Sequence, residues 1–454
     1  LPDANRPSLD ESLKILSGMA SSPGLSITAV NAERPVVLAE LRERAGPQSN
    51  VQNATRKLFF AGQLLASRAP IGTPETLSGA TPQMLQLFHQ RWYRPEKTVI
   101  VIAGDGDPEL FEELLKKHFA GWSGKGEAGS IPDFGQPRDT KDISEIIVEP
   151  NVPQFISMMI ARPWEQVEDT IAYNQQILID LLAMQMINRR LEARDDVSRS
   201  VDGTFISIIP LGEDWEAALS DVRAVIADAT TIAPSEADIA REIAEFDAAL
   251  AIGVEGYPSE AARKQADDIV NAVDIRETVA TPQVALDVFR AMRDLYTPER
   301  LLASTRKLFT GVSTRAVMTS PNSVENGNSR LADALQKSVD AASDVRVVQS
   351  DIGFDSLKRI GKKGSVKSVR KIERFEVEQL ELANGVRVLL FPNKAERNKI
   401  MVNARFGNGF SGLSPRQESL AWSGALALMA SGVANLGQED LDKITTGRRI
   451  GLSF

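Results

Sequence analysis

Helical and strand-like patterns alternate along this chain, and that alternation restricts its fold more than any other feature. In the first 120 residues, apolar side chains recur at helical spacing in four segments: 9–20, 28–44, 82–92 and 108–119. Residues 98–103 (Thr-Val-Ile-Val-Ile-Ala) instead have the β-branched composition of a buried strand. Strand-like residues 143–148 and 155–161 then precede further long helical patterns. We therefore expect helices and sheets to pack in layers.

Two changes of composition divide the 454 residues. Gly, Ser, Pro and Asp cluster at 121–139, and a long polar segment follows the strand predicted at 315–318. We therefore predict four parts: a domain at 1–125, a second at 140–322, a linker at 323–372 and the beginning of a third domain at 373–454. At roughly 150 residues per domain the length fits this division, and we expect both ends to cut through domains.

The predicted third domain begins with a β-hairpin pattern. Strand-like residues 375–382 and 386–391 flank Ala383-Asn384-Gly385, and the Asn-Gly pair favours a tight turn with positive φ. A further strand is predicted at 399–406, and a helix of small residues at 417–431.

The predicted linker carries a run of positive charge near its end, formed by Lys358, Arg359, Lys362, Lys363, Lys367, Arg370 and Lys371. Such a run is typical of a solvated linker, and it is also what a surface for an acidic partner requires. Both interpretations stay open at the level of sequence.

Charge and residue counts exclude several classes of function. With 52 Lys and Arg against 61 Asp and Glu, the net charge of −9 disfavours nucleic acid as a partner. The absence of cysteine excludes disulfides, thiolate metal sites and a cysteine nucleophile. No apolar segment approaches the roughly 18 residues of a membrane span. The two histidines, His89 and His118, are too few for a histidine-based zinc site unless other residues complete it from elsewhere.

Three sets of segments share their order and spacing with one enzyme family. The first comprises residues 9–19 and Ala32-Glu-Arg-Pro-Val-Val-Leu-Ala-Glu-Leu-Arg42. The second comprises 69–77, Phe88-His-Gln-Arg-Trp-Tyr-Arg-Pro95, 101–105 and 117–122. The third is Leu382-Ala-Asn-Gly-Val-Arg-Val-Leu-Leu-Phe-Pro-Asn393. Together they resemble the pitrilysin/insulinase family of zinc metallopeptidases.

This resemblance implies an α+β fold of repeated αβ domains, each an antiparallel or mixed sheet with helices packed on one face. It also implies a zinc-dependent metalloendopeptidase that hydrolyses short or unfolded peptides in a chamber between two halves, with one Zn2+ in the full-length protein. The alternative is a catalytically silent scaffold or partner subunit of the same family. Self-association stays open, and the long bacterial relatives point to a periplasmic location.

The family binds zinc through an inverted H-x-x-E-H motif, whose Glu is the general base, and through a later Glu. The motif is absent from this sequence, so we expect it upstream of Leu1, expect no catalytic residue here and expect the fragment alone to be inactive. By position in the family's motif, Glu40 resembles the third zinc ligand and Glu33 the acid that supports the site. The helix predicted at 417–431 occupies the corresponding place in the third domain and contains neither His nor Glu, as in a non-catalytic half.

Glu33 and Glu40 are seven residues apart, which is about 700° around an α-helix, so both carboxylates face one side. The alternative is an ordinary solvated helix face, on which these acids pair with Arg34, Arg42 or Arg44. Neither histidine matches a ligand of the family, and both are interpreted as ordinary surface or core-edge residues.

Overall fold

The computed structural model describes residues 5–137, 143–165, 167–198, 201–342, 354–357, 361–392, 400–405, 412, 414, 427, 431–433 and 436–445. The chain forms two compact units. The first comprises Leu1–Ile239, Ala261–Ala280 and Met292–Arg346. The second comprises Ala240–Glu260, Thr281–Ala291 and Val347–Phe454.

Helices precede, separate and follow the strands along the chain. The first helices are α1 (Arg6–Ser21), α2 (Ile27–Glu43), α3 (Pro47–Phe59), α4 (Pro74–Gly79), α5 (Pro82–Trp92) and α6 (Pro108–Phe119). The later helices are α7 (Ile171–Ile187), α8 (Trp215–Thr231), α9 (Glu236–Gly256), α10 (Ala262–Ile275), α11 (Pro282–Ala291), α12 (Pro298–Leu308), α13 (Gly327–Gln336) and α14 (Gln438–Thr445). None of the helices described combines the length and apolarity that crossing a bilayer requires.

A mixed five-stranded sheet organises the first unit. Its strands are β1 (Ile143–Val148), β2 (Phe155–Arg162), β3 (Glu192–Ser198), β4 (Val201–Ile208) and β5 (Ser313–Ser320). Their spatial order is β1-β5-β2-β4-β3, with β1 and β5 parallel and the other neighbours antiparallel. The mixed sheet and its helices confirm the expected α+β fold class.

Helix α3 packs on this sheet through its last two residues. Leu58 and Phe59 share a buried cluster with Met159 and Ala161 of β2 and Val317 of β5. The core therefore joins a helix from before residue 125 to strands from after residue 140. The domain boundaries drawn from composition stay a prediction.

A buried arginine links α3 to β5. The Arg315 side chain is fully buried, and its Nη1 donates a hydrogen bond to the carbonyl oxygen of Phe59. Its Nε donates to Ser313 Oγ at 3.0 Å. A buried guanidinium is costly unless its donors are used, so these bonds restrict where α3 ends against the sheet.

The second unit contains a three-stranded antiparallel sheet in the order β6-β7-β8, formed by β6 (Val366–Ile372), β7 (Val377–Leu382) and β8 (Arg387–Leu390). The predicted hairpin is β7–β8. Its turn differs from the expectation. Within the Asn-Gly pair, Gly385 has a positive φ of 89°, whereas Asn384 does not have a positive φ. The Gly385 N–H donates to the Leu382 carbonyl, as in a turn that ends in a left-handed glycine.

Two predicted strands have no ladder in the structure. Residues 98–103 and 400–405 pair with no strand among the described residues. A β-branched composition stabilises a strand only when a neighbouring strand supplies the backbone hydrogen bonds. The helix predicted at 417–431 lies outside the described residues apart from Ala427 and Ser431.

Helix α10 ends on a residue type that seldom occupies its position. Arg276 has φ of 64° and ψ of 32°, the left-handed conformation usually supplied by glycine. The N–H groups of Arg276 and Glu277 donate to the carbonyls of Val273 and Ala272, which caps the helix. The cap is therefore complete but strained at the exposed Arg276.

Replacing Arg276 with Gly should stabilise the protein by about 0.5–1 kcal/mol. An L residue pays roughly 1–2 kcal/mol in the left-handed region, whereas the extra entropy that Gly loses on folding costs roughly 0.5–1 kcal/mol. The free energy of unfolding in urea measures the difference. Arg263→Gly, in the first turn of the same helix, is the matched control and should destabilise by about 1 kcal/mol. Equal effects at the two positions would contradict this account.

Replacing Arg315 with Met should lower the free energy of unfolding by about 1–3 kcal/mol, because the buried Phe59 carbonyl loses its donor. Urea unfolding followed by tryptophan fluorescence measures the loss. Arg293→Met is the control, since Arg293 is exposed, and it should change the stability by less than about 0.5 kcal/mol. Similar losses for the two variants would show that the buried guanidinium contributes little.

Candidate functional site

Helix α2 carries both carboxylates that the sequence singled out. The Ser26 hydroxyl caps its first turn by accepting a hydrogen bond from the Ala29 N–H at 3.1 Å. The helix then continues to Glu43, although Pro35 is its ninth residue and cannot donate a hydrogen bond to the Asn31 carbonyl. The helix predicted at 28–44 is thus confirmed, with Glu33 and Glu40 on one continuous element.

Arg34 anchors α2 to the neighbouring helix α4. Its Nε donates to the carbonyl of Leu77 at 3.1 Å, and its Nη2 donates to that of Ala80 at 2.6 Å. Its Nη1 donates to Asn31 Oδ1 on α2 itself at 2.7 Å. Arg34 is therefore occupied with the end of α4 rather than with the adjacent Glu33.

Glu40 has a basic partner on its own helix. Arg44 Nη2 lies 2.5 Å from Glu40 Oε1, one turn away, and the Glu40 side chain is still 47% exposed. The structure thus agrees in part with the alternative of an ordinary solvated helix face. Glu40 pairs with Arg44, whereas Arg34 bonds to Asn31, Leu77 and Ala80. Because the pair is exposed, solvent screens it and Glu40 keeps an accessible carboxylate oxygen.

Spacing decides how α2 could serve a metal ion. Seven residues rise about 10 Å along a helix, whereas a zinc–oxygen bond is about 2 Å long. One ion could therefore bind one of the two carboxylates directly and meet the other only through an intervening group. In the described part of the chain, no three His, Cys, Asp or Glu residues are grouped to hold a metal ion. A metal ion at Glu40 would therefore require ligands from outside the described residues.

The two histidines are both tied to local structure. His118 Nε2 lies 2.7 Å from Asp10 Oδ1, and Lys117 Nζ approaches the same carboxylate at 2.7 and 2.9 Å. These contacts join α1 to α6 beside a cluster of Leu9, Leu13 and Leu114. Sequence reasoning missed the cluster of Asp10 with its two basic partners, because 107 and 108 residues separate them and no local pattern links them.

His89 stacks on Tyr93, with ring centroids 4.6 Å apart, one turn along α5. The ring is partly buried, and its Nε2 has no hydrogen-bond partner among the described residues. No carboxylate or second histidine joins it in a possible metal site among the residues described.

The family model and the similar sequences found for this chain are all described as peptidases or proteases. Residues 79–191 match the family described as "Peptidase M16 inactive domain". The probable zinc protease PqqL of Escherichia coli is 24% identical over 226 residues, which are 49% of this chain and 24% of that protein. A zinc protease PQQL-like protein of Arabidopsis thaliana is 24% identical over 200 residues, 44% of this chain and 21% of that protein.

Solved structures share the fold. The periplasmic protease PqqL from E. coli matches with a TM-score of 0.67 and 19% identity over 98% of this chain and 51% of that chain. A mutant of the ferredoxin protease FusC, in complex with Arabidopsis ferredoxin, matches with a TM-score of 0.64 and 18% identity over 96% of this chain and 51% of that chain. This chain thus spans about half the length of these structures.

These matches confirm the resemblance to the pitrilysin/insulinase family of zinc metallopeptidases. The matched region begins at the last residue of α4 and ends just before β3, so it excludes α2. Glu33 and Glu40 therefore lie outside the residues that this family model matches.

The Asp10 cluster predicts a pH dependence of stability. Hydrogen bonds from Lys117 and His118 hold the pKa of the Asp10 carboxyl below its usual range. A carboxyl with a lowered pKa stabilises the fold above its unfolded pKa of about 4, and the contribution disappears as the pH falls through the folded value. Asp10→Asn should therefore be less stable than the wild type at pH 6–8, with a difference that shrinks below about pH 4.

Urea unfolding at a series of pH values measures this difference. Glu11→Gln is the matched control, because Glu11 is the next residue on α1 and is exposed. It should stay close to the wild type throughout. A deficit of Asp10→Asn that persists unchanged at pH 2.5 would refute the role assigned to the charged carboxylate.

Proposed function

We propose that this chain is part of a zinc-dependent metalloendopeptidase that hydrolyses short or unfolded peptides in a chamber between two halves. The observation that carries the proposal is the exposed, anchored helix α2, with Glu40 at the position that resembles the family's third zinc ligand. Its support from relatives is that proteins named zinc proteases match this chain by sequence and by fold.

In this proposal Glu40 would hold Zn2+ through one carboxylate oxygen, and the exposed ion pair with Arg44 would not prevent this. Glu33, about two turns away, supports the site through a group that lies between it and the ion. The bound zinc supplies Lewis acidity, which polarises the scissile carbonyl and lowers the pKa of a bound water. Arg34 holds α2 against α4, so that both carboxylates keep their direction.

The remaining groups of the site are not in this sequence. It contains no H-x-x-E-H, so two histidine ligands and the general base would come from another part of the full-length protein. These 454 residues alone are proposed to be inactive. A periplasmic location is proposed by analogy with the periplasmic protease PqqL from E. coli.

One observation favours a second candidate, a catalytically silent scaffold or partner subunit. The family match over 79–191 is to a domain described as inactive. In that case Glu40 has no metal to bind, and its pair with Arg44 is its final state. Zinc binding by the full-length protein separates the two candidates.

Glu40→Gln in the full-length protein should weaken zinc binding by more than about tenfold and abolish cleavage of an unfolded peptide, because a neutral amide replaces an anionic ligand. Glu33→Gln should weaken zinc binding by about 10- to 100-fold, the usual effect of removing a group that orients a ligand. Zinc content by atomic emission after dialysis against buffered free zinc, together with peptide cleavage, measures both.

Glu43→Gln is the matched control, since Glu43 is exposed on the same helix three residues from Glu40. It should retain zinc and activity. A wild type that binds no zinc and cleaves no unfolded peptide would favour the silent subunit. Cleavage that survives a chelator would contradict a zinc enzyme outright.

A further inference from the structure

Strand β6 is the outer strand of the sheet in the second unit. It pairs on one side with β7, with Val369 opposite Leu380 and Lys371 opposite Glu378. On its other side, no strand pairs with it among the described residues. Within the described part of the chain, the backbone N–H and C=O groups along that side have no ladder partner, which is what the addition of a strand requires.

Nearly all of β6 is exposed, on both faces of the sheet. Six of its seven residues are exposed, and they include two apolar side chains, Val366 at 53% and Val369 at 62%. β-Branched residues favour the extended backbone but are normally packed against a neighbour. This strand thus presents apolar and charged side chains together, without packing that would explain the apolar ones.

The charge of this segment is opposite to that of the chain. Residues 361–371, which we call the basic edge, contain five cations and no carboxylate: Lys362, Lys363, Lys367, Arg370 and Lys371. Of these, Lys367 pairs with Glu381 on β7 at 2.7 Å, and the other four have no carboxylate partner among the residues that the structure describes. The whole chain carries −9, so the basic edge is a local reversal.

Lysines on an outer strand also occur as protection against aggregation. That explanation covers Lys371, which lies within the ladder, and Lys367, which lies at the irregularity between Val366 and Ser368. It does not cover Lys362 and Lys363, which precede β6 and extend the positive charge beyond it. Nor does it require the exposed valines at 366 and 369.

We propose that the basic edge docks an acidic polypeptide segment in extended conformation, which adds to β6 as a further strand. The backbone of β6 supplies the hydrogen bonds of strand addition, and the four unpaired cations select carboxylates in the added segment. Val366 and Val369 contact apolar side chains of the added segment, and because cations lie on both faces of β6, carboxylates are required on both faces of that segment. This surface is separate from the metal site, so its test does not depend on zinc binding.

An extended peptide fits this surface better than a nucleic acid or an anionic membrane. Phosphate groups would use the cations but leave the backbone hydrogen-bonding groups of the strand unmatched. A peptide uses the charge and the strand together.

The probe is a fluorescently labelled nonapeptide in which pairs of Glu alternate with pairs of Val or Thr, so that both faces carry carboxylates. It is titrated with the full-length protein and followed by anisotropy. The chain should bind it, and binding should weaken as the salt concentration rises, since exposed charges are screened. Lys362→Glu with Lys371→Glu should raise the Kd at least about tenfold. A peptide N-methylated at alternate residues should also bind at least about tenfold more weakly, because it cannot complete the ladder.

Lys14→Glu with Lys337→Glu is the matched control, because both lysines are exposed and the charge change is the same. It should leave the Kd within about twofold of the wild type. Lys362→Gln with Lys371→Gln is a milder variant that should weaken binding less than the Glu pair, and far-UV circular dichroism verifies that each variant folds.

Several results would overturn the proposal. They are no binding of the peptide by the wild type, equal loss in the control pair, or full binding of the N-methylated peptide. Tighter binding of oligo(dT) or of phosphatidylglycerol vesicles than of the peptide would identify the basic edge as a general polyanion surface instead.

Discussion

The sheet of the first unit depends on its last strand. β5 lies between β1 and β2 and pairs with both, yet it follows β2 by about 150 residues. Without β5, β1 has no partner strand in the described sheet and β2 loses one of its two neighbours. Arg315 extends the same dependence to α3, because its buried guanidinium donates to the Phe59 carbonyl at the helix end. The residues between β2 and β5 must therefore return the chain to the side of β2 for this sheet to form.

Local elements were predictable because their causes are local. α5 begins at Pro82 after the cap Thr81, and the hairpin β7–β8 turns at Gly385, all of which are legible in neighbouring residues. The strand predicted at 98–103 is absent from the described structure. Its β-branched composition favours an extended backbone, but a strand also needs a hydrogen-bonding partner, which composition cannot identify. The insertion of β5 between β1 and β2 could not be predicted from the sequence for the same reason, because strand pairing depends on contacts between residues far apart in the chain.

The candidate site shows the same contrast between features with local causes and features that depend on distant contacts. A sequence motif and helical periodicity brought Glu33 and Glu40 to one helix, and the structure has that helix. The anchoring of Arg34 to the carbonyls of Leu77 and Ala80 was not predictable, because it joins two helices across more than 40 residues. The same holds for the contact between Asp10 and His118. Motifs report which residues share an element, and packing decides what holds that element in place.

The pair of Glu40 with Arg44 bears directly on whether α2 could bind a metal ion. A buried ion pair would resist exchange, because separating it leaves an uncompensated charge. Here both side chains are about half exposed or more, so water can solvate Arg44 once Glu40 turns away. A Zn2+ ion bound to further ligands would then compete with a single screened charge. Separating Glu40 from Arg44 therefore costs little free energy, and Arg34 holds the helix in place. A residue that supplies one ligand to a metal site built from several parts of a protein would need both properties.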